Sequence, residues 1–182
     1  MASRDVKDLV PELRTKALTL LQNCQNRGIE MRYYQTLRDP FEQARLWRQS
    51  RSNEEISQKI NEFRGVGADF LAFCLESVGP QFGRPVTNAL PGFSWHQWGE
   101  AVDAFWVVNG AAEWSTTKKV NGLNGYHVYA EEAQLLGLTA GGLWPKFKDW
   151  VHVQLRAANS PLDSQTIKQI SDVMQERFGR RA

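Results

Sequence analysis

The sequence predicts an α+β fold, a small antiparallel sheet with flanking helices. Apolar residues recur at helical spacing near both ends of the chain, and short β-branched and aromatic runs lie between them. The resulting order of helix, strand, helices, strand, helix, strand is that of an α+β protein.

From about residue 10 to residue 27, Leu13, Ala17, Leu20, Leu21 and Cys24 follow helical spacing, and Gly28 is the stop. Residues 29–37, IEMRYYQTL, read as a strand. Asp39 then supplies an N-cap and Pro40 a first helical position, launching FEQARLWRQS as a second helix. Residues 51–64 are polar and charged, and Gly65-Val66-Gly67 interrupts the pattern before a short helix over 68–78, ended by Gly79-Pro80. Glycine and proline breakers fill 81–92, and a strand over 101–108 ends at Asn109-Gly110. After a polar loop at 118–125, YHVYAEEAQLLG predicts a helix closed by Gly137. Gly141-Gly142 marks a turn, and VHVQL (151–155) is the last core strand. Residues 161–178 form the closing helix, with Ile167, Ile170, Met174 and Phe178 on one face.

The 182 residues suit one domain, with a helical insertion expected at about 51–83. A 42% hydrophobic and 23% charged composition supports a sizeable core and argues against long disorder. Twenty-two basic against 20 acidic side chains exclude a nucleic-acid binder that relies on a strong basic field. Arg177, Arg180 and Arg181 make only a mild basic patch beside Asp172 and Glu176, expected as a solvated helix end. No apolar run is long enough for a membrane-spanning helix, and MASRDVKDLVPELR lacks the apolar segment of a secretory signal. Cys24 and Cys74 sit in apolar helical patterns and are expected as buried, reduced thiols. Without a CxxC or paired Cys/His spacing, a structural zinc–thiolate site is excluded.

Chemistry concentrates in one stretch. Six of the seven tryptophans and all three histidines lie within residues 95–152. His96 and Asp103 are separated by an odd number of residues, which on one continuous strand would place them on opposite faces. A bend at Gly99 would bring both to one site. Asp149 precedes the strand that begins near His152. Two imidazoles and a carboxylate are a familiar ligand set for catalytic zinc, with a fourth position left for water. These residue types fit two readings: a metal centre, or packed core histidines with Asp103 as a loop cap. Trp95, Trp98 and Trp106 fit a substrate groove or the core, and at least two are expected in the core. His127 is expected as a surface or packing residue, and Glu100 is expected to point away from Asp103.

TNALPGFSWHQWGEAVDAF resembles the SxHxxGxAxD signature of the zinc-dependent D-alanyl-D-alanine carboxypeptidase and L-alanyl-D-glutamate peptidase family, which includes phage endolysins. Ser94, His96, Gly99, Ala101 and Asp103 occupy the signature positions. KFKDWVHVQL resembles the family's second block, an acidic residue three before a histidine, and GLTAGGLWPKFKD resembles the Gly-Gly-x-Trp approach of the endolysin branch. YYQTLRDPFEQARLW is similar to an upstream block with an arginine and a glutamine, here Arg38 and Gln43.

The resemblance implies a zinc site at the sheet face, with His96, Asp103 and His152 as ligands. It makes Asp149 the general base and Arg38 the oxyanion-stabilising residue. Ser94 and Gln43 are implied as substrate contacts or as scaffolding. Many relatives carry an acidic residue shortly after the last histidine; here Gln154 stands there, on the same strand face as His152. The implied activity is that of a zinc endolysin cutting the L-alanyl-D-glutamate bond of murein stem peptides, favoured by an Asp at the base position. The alternatives are a zinc D-alanyl-D-alanine carboxypeptidase and a non-catalytic zinc-containing wall-binding module. Stem peptides are the expected partners of a monomer that binds no nucleic acid. It would be made in the host bacterial cytoplasm without a signal peptide and would act on the wall after release.

Overall fold

The computed structural model describes residues 3–179, so Arg180 and Arg181 lie outside the described residues. In chain order the elements are α1 (Pro11–Asn26), β1 (Glu30–Gln35), α2 (Pro40–Arg48), α3 (Asn53–Gly65), α4 (Asp69–Ser77), β2 (Ala101–Val108), β3 (Ala111–Glu113), α5 (Gly125–Leu135), β4 (Thr139–Ala140), β5 (His152–Gln154) and α6 (Ile167–Phe178). This is the predicted α+β class. By contacts the chain divides into two compact units, one made of residues 3–37 and 98–157, the other of residues 38–97 and the segment from 158 onward.

In the first unit the sheet order is β1-β2-β5-β4, with β3 also on β2 and every pairing antiparallel. β2 is the central strand. Its AVDAFWVV run is buried almost throughout, so β-branched and aromatic side chains are stabilised on both faces. Leu13, Ala17, Leu20 and Cys24 form one stripe of α1 and pack with Val102, Ala104 and Trp106 of β2 and with Tyr126, Tyr129 and Ala133 of α5. The expected stop at Asn109-Gly110 is in fact a two-residue hairpin. Both residues have positive φ, 51° and 79°, as a type I′ turn requires, and the chain returns as β3.

The second unit is helical. Residues 51–64, polar in sequence and part of the stretch expected as a helical insertion, hold most of α3 (Asn53–Gly65). Ser52 and Glu55 make a reciprocal capping box, and Ile56, Ile60 and Phe63 form a narrow buried stripe. α4 carries Cys74, buried together with Leu71 and Leu75. The closing helix begins at Ile167 rather than 161. Pro161–Asp163 is a separate 3-10 turn, and a Thr166–Gln169 capping box starts the helix proper. Ile170, Met174 and Phe178 are buried on it, whereas Ile167 is only half-buried. Among the described residues no helix is long and apolar enough to cross a membrane.

Candidate metal centre

Register brings two of the expected ligands together. Asp103 on β2 and His152 on β5 are direct antiparallel partners, so their side chains lie side by side on one face of the sheet. His152 Nδ1 and Asp103 Oδ1 are 3.0 Å apart. His96 arrives from the 3-10 turn Trp95–Trp98, which runs into Gly99 just before β2. Gly99 has φ +71°, and a Cβ there would meet the Asp8 carbonyl oxygen at 2.9 Å, so only glycine fits the bend. Its own carbonyl accepts a 3.0 Å hydrogen bond from the Val10 N–H.

His96, Asp103 and His152 are all buried, and each offers a donor atom within 4.8 Å of the others. Ligand atoms of a tetrahedral zinc lie about 3.4 Å apart when each bond is about 2.1 Å. Two imidazole nitrogens and one carboxylate oxygen also match zinc's preference for mixed nitrogen and oxygen donors. The donor set therefore fits such an ion.

The far side of His152 is fixed as well. Its Nε2 lies 3.0 Å from Gln154 Oε1, while Gln154 Nε2 donates to the Arg156 carbonyl at 2.7 Å. With the amide so oriented, its oxygen accepts the proton of Nε2, and Nδ1 is the nitrogen turned towards Asp103. Burial alone would lower the pKa of this imidazole. The hydrogen bond and charge of Asp103, with contributions from Asp149 and Gln154, outweigh it and hold His152 above its ordinary value.

Asp149 is half-buried in the turn before β5. Its N–H donates to the Gly141 carbonyl at 3.1 Å, and its own carbonyl accepts from the His152 N–H at 3.2 Å. Both glycines of the turn are required by close packing. A Cβ on Gly141 would come within 2.5 Å of the Asp149 carbonyl oxygen, and one on Gly142 within 2.3 Å of the Trp150 ring.

Arg38 precedes α2, and its N–H donates to the His96 carbonyl at 3.2 Å. Arg38 Nη1 donates to Gln43 Oε1 at 2.7 Å. Gln43 is fully buried, and its Nε2 donates to the Ala89 carbonyl at 2.6 Å. Gln43 thereby joins Arg38 to the Ala89 carbonyl in a buried scaffold. Gln97, which sequence reasoning passed over, completes that scaffold. It is fully buried, donates to Gln43 Oε1 at 3.1 Å and accepts from the Ser94 N–H at 3.1 Å. The signal was present as the glutamine directly after His96. Ser94 Oγ accepts a long hydrogen bond, 3.4 Å, from the His96 N–H and so bears on the turn.

The remaining polar and aromatic residues have structural partners. Glu100 is buried and accepts two hydrogen bonds from Arg156, at 2.5 and 2.9 Å, so it is engaged as an ion pair. His127 is exposed and stacks on Trp150 at 4.3 Å. Trp95 and Trp106 are buried in the core, and Trp98 is half-buried.

The profile of the VanY family, described as D-alanyl-D-alanine carboxypeptidase, matches residues 7–128. That span includes Arg38, His96 and Asp103 and ends before Asp149 and His152, whose placement rests on the geometry above. No curated protein sequence matches the chain. Among solved structures, the Serratia marcescens L-Ala D-Glu endopeptidase ChiX aligns at 16% identity over 86% of this chain and 89% of its own, with a TM-score of 0.44. The profile spans well over half of the sequence and takes in the block that carries His96 and Asp103, so the chain belongs to the VanY D-alanyl-D-alanine carboxypeptidase family, hydrolases of peptidoglycan peptides.

Proposed function

We propose that the protein is a zinc-dependent peptidoglycan endopeptidase that hydrolyses the L-alanyl-D-glutamate bond of murein stem peptides, in the manner of an endolysin. The observation that carries the reading is the meeting of His96, Asp103 and His152 within 4.8 Å, with Asp149 in the turn whose carbonyl accepts from the His152 N–H. Zinc held by those three residues would supply Lewis acidity and lower the pKa of a water at its fourth position to about 7. Asp149 accepts the proton of the attacking water and returns it to the leaving amine. Arg38, held by Gln43, sets a fixed guanidinium towards the charge that develops on the carbonyl oxygen. An aspartate at the base position and the Gly141-Gly142 approach favour the L-alanyl-D-glutamate bond. The protein would accumulate in the cytoplasm of a phage-infected cell and reach the wall on release.

The family description favours a second reading, a D-alanyl-D-alanine carboxypeptidase. Digestion of purified sacculi with and without chelator, followed by mass analysis, separates the two. New L-alanine C-termini with D-glutamate N-termini select the endopeptidase, and free D-alanine selects the carboxypeptidase. Absence of any product would leave a wall-binding module, for which neither Asp149 nor Arg38 has a use.

The roles make a sharp prediction. Asp149→Ala retains stoichiometric zinc and loses turnover by about a hundredfold or more, since the ligands survive and the proton carrier does not. His96→Ala loses both metal and turnover. Metal analysis beside the rate checks both, and undiminished turnover in Asp149→Ala removes the residue from the mechanism.

A further inference from the structure

Away from the metal centre, a cavity of about 260 Å³ lies at the C-terminal end of α2 and the start of α3, lined by Arg48, Ser50, Arg51, Asn53, Ile56 and the 80–83 loop. Arg48 is only 8% exposed, so most of its side chain is out of water. Buried charges are normally paired with an opposite charge. Arg48 has no such partner among the described residues. Nη1 donates to the Leu75 carbonyl at 2.7 Å, Nε is sealed off without an acceptor, and Nη2 makes no hydrogen bond among the described residues, while the side chain lines the cavity. Desolvation without a compensating carboxylate pulls its pKa below the usual arginine value.

Three further features converge there. Arg51 lies over the Trp47 ring, 4.5 Å from its centroid, and donates to the Thr87 carbonyl at 3.0 Å, which holds a second guanidinium at the wall. Asn53 opens α3, a helix of 13 residues whose first-turn amides present the positive end of its dipole. Ser50 takes a left-handed conformation, φ 64°, and its hydroxyl donates to the Gly83 carbonyl, tying the two walls together at the cost of backbone strain. The opposing charges are Glu54 and Glu55 of the α3 first turn, both solvent-exposed, with Glu55 accepting from the Ser52 N–H at 2.8 Å. Phe82 at the rim is 90% exposed and Ile56 is buried in the wall, so an aliphatic chain has apolar surface beside the charged end.

We propose that this cavity is a subsite for a free carboxylate at the end of an aliphatic peptide side chain, received by Arg48 Nη2 and Arg51. It rests on the peptidase reading for its substrate class and extends it. The nine residues of α2 rise about 13 Å, the length of roughly four extended residues, and separate Arg48 from Arg38 at the other end of the helix. A stem peptide with its scissile carbonyl near Arg38 thus has a distal carboxylate on the length scale of this cavity.

The test is binding rather than turnover. The full-length chain carrying Asp149→Ala, so that the peptide survives, is titrated with L-Ala-γ-D-Glu-meso-diaminopimelate while side-chain and amide NMR signals are followed. Saturable shifts are expected at the Arg48 Nε–H and at the Ser50 and Gly83 amides. Affinity should fall about tenfold when the side-chain carboxyl of the peptide is amidated, and by about as much in Arg48→Met. Because Arg48→Met removes a buried group and can unfold the chain, Arg51→Met and the amidated peptide on the intact cavity carry the test independently. Absence of shifts at about 10 mM peptide, equal binding of the amidated form, or shifts with inorganic phosphate and none with the peptide overturns the proposal. If sacculi are not digested yet the peptide binds here, the peptidase reading falls and the subsite stands.

Discussion

Gln154 shows how one neutral side chain can set the state of a candidate metal ligand, His152. Its amide is oriented by the Arg156 carbonyl and accepts from His152 Nε2, which turns Nδ1 towards Asp103, where the proposed zinc would be held. Gln154→Leu removes that acceptor with little change in volume. Zinc affinity, measured by competition with a chelator, should fall by about ten- to a hundredfold. In the metal-free protein the nitrogen-15 spectrum of His152 should shift towards the other tautomer. Unchanged affinity and an unchanged spectrum would reduce Gln154 to packing. Sequence alternation placed Gln154 on the same face as His152, but the chain that locks its amide depends on a backbone carbonyl that no pattern reveals. Gly99 was legible in the same way: the need for a bend between His96 and Asp103 was visible, while the Asp8 carbonyl that forbids a Cβ comes from a distant segment.

At the level of elements, α2 links stability to the arrangement of the site. Asp39 caps it by accepting from the Glu42 N–H at 2.8 Å, and Pro40 begins it. Gln43, one turn in, holds Arg38. Asp39→Ala should cost about 1 kcal/mol of stability, read from denaturant unfolding, and should lower turnover further by loosening Arg38. A loss of stability with turnover per folded molecule unchanged would separate the helix start from the arginine. The cap and proline were readable directly from Asp39-Pro40. For α3 a helical insertion was legible but its bounds were not, because Ile56, Ile60 and Phe63 are three apolar residues in an otherwise polar run, and the Ser52–Glu55 box is the stronger signal of the two. β3 and β4 are too short for periodicity to reveal; pairing with a neighbour defines them.

Across the whole molecule each unit builds its own apolar core, and each core contains one cysteine with no exposed surface. Burial pushes the Cys24 thiol up to about 12, with a smaller push from Glu132, and raises the Cys74 thiol as well. The thiolate is the reactive form, so at neutral to mildly alkaline pH almost none is present. Neither cysteine should react with Ellman's reagent in the native protein, and both should react after denaturation. Rapid labelling of the folded chain would show that one of the cores opens readily.

The amino-acid sequence by itself determined the α+β class, the first two helices and the strand between them, the buried cysteines, and the residue types from which a metal centre is made. Those depend on local periodicity, capping and composition, which are written in neighbouring residues. Only the tertiary structure decided that Asp103 faces His152, that buried Gln43 accepts from Arg38, and that Arg48 lines a cavity with no carboxylate paired to it among the described residues. Strand register, burial and the absence of a counter-charge are relations between distant segments, and they exist only once the chain has closed on itself.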